Sequence, residues 1–157
     1  MAIRSCAKAL ILRQGRLLLI RCRREDGSLS YDLPGGGQRP RETLEQTVAR
    51  EVLEETGYRV HGLSFAALAE EIHEDPARWA AYPDYAQRVL HIFWAELEQD
   101  QPVAPSEEDL GQEAAVWVPT DEVAMLPNLH PSGLQGIFSD MLRDRTPRYL
   151  GCVHICG

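Results

Sequence analysis

Residues 36–58 read GGQRPRETLEQTVAREVLEETGY. The later part of this stretch carries start and stop signals for a helix over Thr43 to Thr56. Thr43 with Gln46 three residues on fits a capping box, and Gly57 stands where a left-handed residue closes a helix. Leu44, Val48 and Val52 repeat at i, i+4 and i+8 as a buried stripe. Glu51, Glu54 and Glu55 stand at i, i+3 and i+4 and share a face within one turn. Two unit charges ~5 Å apart repel by roughly 3 kcal/mol at an effective dielectric near 20. The C-terminal end of the helix dipole disfavours them further. A divalent cation would relieve both costs, and all-oxygen donors without Cys or His suit Mg²⁺ or Mn²⁺ rather than Zn²⁺. The bland alternative is a solvated acidic face on which Arg50 pairs with Glu54 at i+4. The preceding Leu33-Pro34-Gly35-Gly36-Gly37 weighs against it. These glycines interrupt regular structure, and the backbone of Gly36 and Gly37 can approach a metal-bound phosphate closely.

The rest of the chain supplies a frame for that segment. Its 157 residues fit one domain over 1–157, and a hydrophobic fraction of 44% with 25% charged residues is ordinary for a globular protein. Sixteen basic against 24 acidic residues leave a net charge of −8. That disfavours a long nucleic acid or an anionic membrane as partner, but not a small anionic substrate held through a metal ion. No apolar run is long enough to span a bilayer and the N-terminus lacks a signal-peptide pattern. Cys6, Cys22, Cys152 and Cys156 are then expected as reduced thiols of a cytoplasmic protein.

Strands are expected at Ile3 to Leu12 and Leu17 to Arg21, joined by a turn at Gln14-Gly15. Further strands are expected at Leu63 to Ala69, Val89 to Leu97, Ala115 to Val118 and Tyr149 to Ile155. Arg23 to Ser30 reads as a loop. Pro131 to Arg143 reads as a second helix, with Leu134, Ile137, Phe138, Met141 and Leu142 on one stripe. The class is mixed α/β.

Gly36, five residues, Glu42, seven residues, and then Arg50-Glu51-Val52-Leu53-Glu54-Glu55-Thr56-Gly57-Tyr58 follow the pattern G-x5-E-x7-R-E-U-x-E-E-x-G-U. This stretch resembles the box of the Nudix hydrolases. Only Tyr58 departs, standing where a smaller aliphatic residue is usual. The resemblance implies an α/β/α sandwich around a mixed β-sheet. It also implies hydrolysis of a nucleoside diphosphate linked to another group. By the same resemblance Glu51, Glu54, Glu55 and the Gly35 carbonyl would hold Mg²⁺ or Mn²⁺, and Glu51 or Glu54 could orient the attacking water. Arg50 and Glu42 would form a pair that steadies the acids. A competing reading is a Nudix-like module that binds a nucleotide as a sensor without cleaving it. The presence of all three glutamates favours the enzyme.

Outside the box the readings stay open. Arg39 and Arg41 in the box loop, and Arg21, Arg23 and Arg24 at the end of the second strand, could contact phosphate or simply face solvent. Trp79, Tyr82 and Tyr85 could stack on a base or anchor a loop. One of Glu107, Glu108 and Glu113 is a candidate additional acid. Cys152, His154 and Cys156 alternate along one strand face and with Cys6 could in principle bind zinc, although strand packing is the favoured reading. The substrate is a small nucleotide of unspecified kind, and a homodimer is possible.

Overall fold

The computed structural model describes residues 2–106 and 112–156. Its centre is β1 (Ile3–Arg13), which pairs in parallel with β6 (Gln87–Leu97) from Ile3↔Gln87 to Ile11↔Ala95. On its other side β1 is shared between two strands. Its end forms the expected hairpin with β2 (Arg16–Arg23) at Leu12↔Leu17, and β4 (Gly35–Gly37) pairs antiparallel with it at Cys6↔Gly37 to Lys8↔Gly35. The sheet continues outward through β3 (Leu29–Asp32) and β8 (Leu129–His130) on one side. On the other it continues through β5 (Val60–His73) and β9 (Arg148–Ile155), while β7 (Gln112–Pro119) pairs with β2. Parallel and antiparallel neighbours coexist, so the sheet is mixed, as expected.

Side chains alternate across this sheet and split the core in two. Ala7, Ala9, Ile11 and Leu18 pack with Val48 and Val52 of α1 (Leu44–Thr56) on one face. Cys6, Leu10, Leu17 and Leu19 pack with Phe138 and Met141 of α3 (Phe138–Arg143) on the other. The result is the expected α/β/α layering, with α1 laid across β1 and β4.

Several expectations need correction. The glycine segment is not free of regular structure, because Gly35–Gly37 forms β4. The stretch read as a loop at 23–30 ends in β3, which begins at Leu29. The helix expected over Pro131 to Arg143 is a 3₁₀ turn at Ser132–Leu134 followed by the shorter α3. Gly133 lies within the turn and Gly136 between it and α3, and glycine costs about 1 kcal/mol in a helix interior. Leu134, Phe138 and Met141 are nonetheless buried as the stripe required. The polar stretch after β5 contains an additional helix, α2 (Pro76–Ala81), started by Asp75, whose carboxylate accepts from the Ala77 N–H.

Candidate active site

The helix that carries the acids is capped at both ends by its own sequence. The Thr43 hydroxyl accepts from Gln46 N at 3.2 Å, the Gln46 side chain accepts from Thr43 N at 2.8 Å, and Gly57 closes the last turn at φ 75°. With the helix fixed, Arg50 spends all five guanidinium N–H groups on the box itself. Nε and Nη2 donate to the two oxygens of Glu42 at 2.7 and 3.0 Å, and Nη2 also donates to the Gly37 carbonyl at 3.0 Å. Nη1 donates to Glu51 at 2.7 Å and to Glu54 at 3.1 Å. Hydrogen bonding to Arg50 holds the Glu42 carboxyl down to about 2, with further help from Arg39 N and the Thr47 hydroxyl. The Arg50 guanidinium is pushed further above its ordinary value, first by Glu42 and then by Glu51.

Glu55 departs from the expected common face. It falls on the Val48–Val52 stripe and is only 5% exposed, and its carboxylate accepts from the Gly35 N–H at 3.1 Å. The helix therefore presents Glu51 to the cleft, keeps Glu54 beside Arg50 and Arg39 at its edge, and turns Glu55 toward β4. Two glycines allow this closeness. Gly35 has φ +139° and passes so near β1 that an added Cβ would lie 2.7 Å from Lys8 Cα. At Gly36 an added Cβ would lie 2.6 Å from Glu51 Cδ. Lys8, on β1, ties the same corner together from below. Its ammonium donates to Asp32 at 3.0 Å, to the Leu33 carbonyl at 3.1 Å and to the Gly35 carbonyl at 3.2 Å. Burial alone would lower its pKa, but Asp32 and Glu55 outweigh burial and raise it.

These groups border a cleft of about 400 Å³ between β4, β1 and β6. Arg4, Lys8, Arg39, Arg50 and Arg88 all line it, with Tyr85 at one wall. Arg4 stacks on Tyr85, its guanidinium carbon 4.7 Å from the ring centroid. A cation-rich cleft, lined also by Asp32 and Glu51, thus occurs in a chain of net charge −8.

The sequence from residue 3 to 139 matches the family model of the NUDIX domain. This chain belongs to the NUDIX family. Among its relatives, phosphatase NudJ of Escherichia coli K12 is 30% identical over 104 residues, 66% of this chain. The matched stretch spans only 61% of that relative's length. The MutT NUDIX hydrolase of Burkholderia pseudomallei aligns with a TM-score of 0.66 at 27% identity, covering 86% of this chain and 96% of that one. A NUDIX hydrolase from Nitrosomonas europaea aligns with a TM-score of 0.72 at 18% identity, covering 93% of each chain.

Within this Nudix frame the other candidates fall into place or fall away. Arg39 lines the cleft, its guanidinium 3.8 Å from Glu54. Arg23 does not line it, being engaged with Glu113 at 2.5 Å and with the Gly27 carbonyl at 3.0 Å. Arg24 borders a neighbouring hollow instead. The reason is direction, since β2 leaves β1 after the hairpin and carries its arginines away from β4. Glu113 is held by Arg21 and Arg23, while Glu107 and Glu108 lie outside the described residues. Trp79 donates its indole N–H to the His73 carbonyl and so anchors α2. Tyr82 is exposed. None of the four cysteines forms a disulfide among the described residues. Cys6 is buried in β1, with β6 and β5 between it and β9, so it does not join Cys152 and His154.

Arg4, Lys8 and Arg88 are cleft residues that the sequence reading missed. A signal existed for Lys8, a lone cation inside the apolar run Ala7 to Leu12. Arg4 and Arg88 become legible only through the β1–β6 register, which makes them direct partners.

The donor chemistry of the site fits a hard divalent cation. Glu51 and Glu54 contribute carboxylate oxygens, Gly36 leaves open the approach to Glu51, and no thiol or imidazole is among the donors. Among the described residues no group of three or more Asp, Glu, His or Cys side chains is placed to hold a metal ion by itself. An open donor set is what Mg²⁺ uses, since it retains waters and takes substrate phosphates as ligands. The Gly35 carbonyl already accepts from Lys8, leaving one lone pair for any other partner.

Proposed function

We propose that the chain is a pyrophosphohydrolase that cleaves the phosphoanhydride of a nucleoside diphosphate linked to another group. The products are a nucleoside monophosphate and the phosphorylated second group. The observation that carries this reading is Arg50, whose five hydrogen bonds tie Glu42, Glu51 and Glu54 to the glycine strand beside a cation-lined cleft.

Each step follows from charge. A diphosphate resists attack because its oxygens repel nucleophiles. Arg4, Arg39 and Arg88 would hold those oxygens, with the Lys8 charge behind them, and so offset that repulsion. Glu51 and Glu54, with Glu55 and the Gly35 carbonyl behind them, would hold Mg²⁺ or Mn²⁺. The ion supplies charge neutralisation and a lowered pKa for water. Glu51 or Glu54 would take the proton from the attacking water as its oxygen bonds to phosphorus. The bridging P–O bond breaks and the leaving phosphate departs with the electron pair. Arg50 does not touch substrate in this scheme; it positions both carboxylates. Gly36 and Gly37 bring bare backbone up to the phosphates.

A panel of nucleotide sugars, dinucleoside polyphosphates and nucleoside triphosphates, assayed with Mg²⁺ and with Mn²⁺ for phosphate and monophosphate release, tests the reading. Saturable binding without turnover of any compound would instead support the sensor module. No helix of the described residues is long and apolar enough to cross a membrane.

A further inference from the structure

Beside the cleft lies a second hollow of about 420 Å³. Asp32 and Arg88 line both cavities and form the wall between them. Its charges do not cancel. Asp32 is paired with Lys8 and Glu71 with Arg88, while Asp75 caps α2 and keeps its negative charge, so Arg24 and Arg78 leave one net positive charge. Arg24 and Arg78 line the hollow and make no salt bridge among the described residues. The same two arginines border the outer depression beside Cys22 and Ser30, so both flank one mouth.

The interior is short of partners in a particular way. Arg88 Nε and His73 Nε2 are buried without a hydrogen-bond partner, and His73 is only 5% exposed. Burial, followed by the charges of Arg78 and Arg88, keeps His73 below its ordinary pKa; burial does the same for His130 against the pull of Asp32 and Glu71. A neutral imidazole keeps one N–H to give. Asp32 Oδ1 and Glu71 Oε1 are acceptors left over, the latter 4.0 Å from His130 Nδ1. A ligand meeting these groups would bring acceptor oxygens to Arg88 and His73 and a hydrogen to Asp32 or Glu71. A singly protonated phosphate supplies both, and its negative charge suits the arginines at the mouth.

We propose that this hollow is a second phosphate subsite, in which Arg24 and Arg78 at the mouth and Arg88 and His73 in the wall grip a phosphate group. Its position places that phosphate on the part of the substrate that extends past the Asp32–Arg88 wall. This deepens the hydrolase reading by adding a second phosphorylated position to the substrate, and its first test does not depend on hydrolysis.

The imidazole rings are reporters built into the site. Inorganic phosphate is titrated into the full chain in EDTA while the histidine ring resonances are followed by NMR. His73 and His130 should shift saturably, while His61, exposed on β5 and paired with Glu96, should not. The double variant Arg24→Gln/Arg78→Gln removes two exposed side chains and should retain its melting temperature. Its affinity for phosphate at His73 and His130 should fall at least about tenfold, as expected for losing charge-assisted hydrogen bonds. Still resonances at tens of millimolar phosphate, or unchanged affinity in the double variant, would overturn the proposal. Turnover in Mg²⁺ with added phosphate then separates two sources of the anion. A raised KM at constant kcat, lost in the double variant, identifies a phosphate carried by the substrate. A changed kcat at constant KM, also lost in the variant, identifies free phosphate as an effector. Phosphate without effect on either would overturn the placement beside the reacting cleft.

Discussion

Arg50 is the residue on which the arrangement of the site turns, and replacing it has a calculable cost. Arg50→Ala leaves Glu42, Glu51 and Glu54 without their shared cation and the Gly37 carbonyl without a donor. Removing one partner of a buried ion pair costs about 3–5 kcal/mol. Side-chain exposures of 17% for Arg50 and 14% for Glu42 leave some water access, so about 3 kcal/mol is the expected loss. In a chain of this size that lowers the melting temperature by roughly 6–12 °C. The pH dependence has a definite sign. Glu42 is depressed from 4.5 to about 2, mainly by hydrogen bonding to Arg50. The stabilisation is therefore complete above the unfolded value and is lost as pH falls toward the folded one. Wild type should lose stability over that acid window, and Arg50→Ala should show a flatter profile there. Arg50→Lys keeps the charge but loses the planar fork that spans Glu42, Gly37, Glu51 and Glu54. It should recover about half of the lost stability while kcat/KM stays at least about tenfold down, as for other residues that orient metal-binding groups. Thermal melts at several pH values and steady-state kinetics on both variants measure this. A lysine variant with wild-type kcat/KM, or an alanine variant with wild-type melting temperature, would refute the positioning role.

Other consequences follow from the same geometry. Hydrolysis should need Mg²⁺ or Mn²⁺ and vanish in excess chelator; undiminished turnover in EDTA rules out the metal reading. Glu54→Gln should cut kcat by roughly 10²-fold with little change in melting temperature, since it removes a charge used in the transition state. Gly36→Ala and Gly35→Ala should separate chemistry from folding. The first drives a methyl into the Glu51 carboxylate, the movable end of a side chain, so activity should fall with little loss of stability. The second forces an L-residue to φ +139° against the β1 backbone, so it should destabilise by about 1–3 kcal/mol or more. Equal melting temperatures for the two glycine variants would contradict the close approach of β4 to β1.

What could be read from the sequence followed the range over which each feature is encoded. The α1 helix was legible to within a residue of its observed start because its cap, stripe and stop all lie inside 43–57. β4 was not, because three glycines carry no side-chain pattern; its pairing is dictated by β1, nearly thirty residues earlier in the chain. The second helix was overextended because the apolar stripe from Leu134 to Leu142 outweighed Gly136, which needed only one break to turn the stripe into a turn plus a short helix.

The site shows the same division between local and distant information. The i+4 contact of Arg50 to Glu54 was accessible from helical spacing, whereas the Glu42–Arg50 contact was implied only by the family resemblance. Glu55 was misplaced because the three acids were read against each other rather than against the apolar stripe, where position 55 lies seven residues after Val48 and so returns to the buried side. The cation lining was hidden for another reason. A net charge of −8 describes the whole chain, whereas a substrate meets only the side chains at the mouth of one cleft. Arg4 and Arg88 lie 84 positions apart and become neighbours through a parallel pairing that no local pattern encodes. An acidic protein can therefore present a basic cleft, and what makes it basic here is strand register: β1 and β6 bring Arg4, Lys8 and Arg88 to the same end of the sheet as the acids of α1.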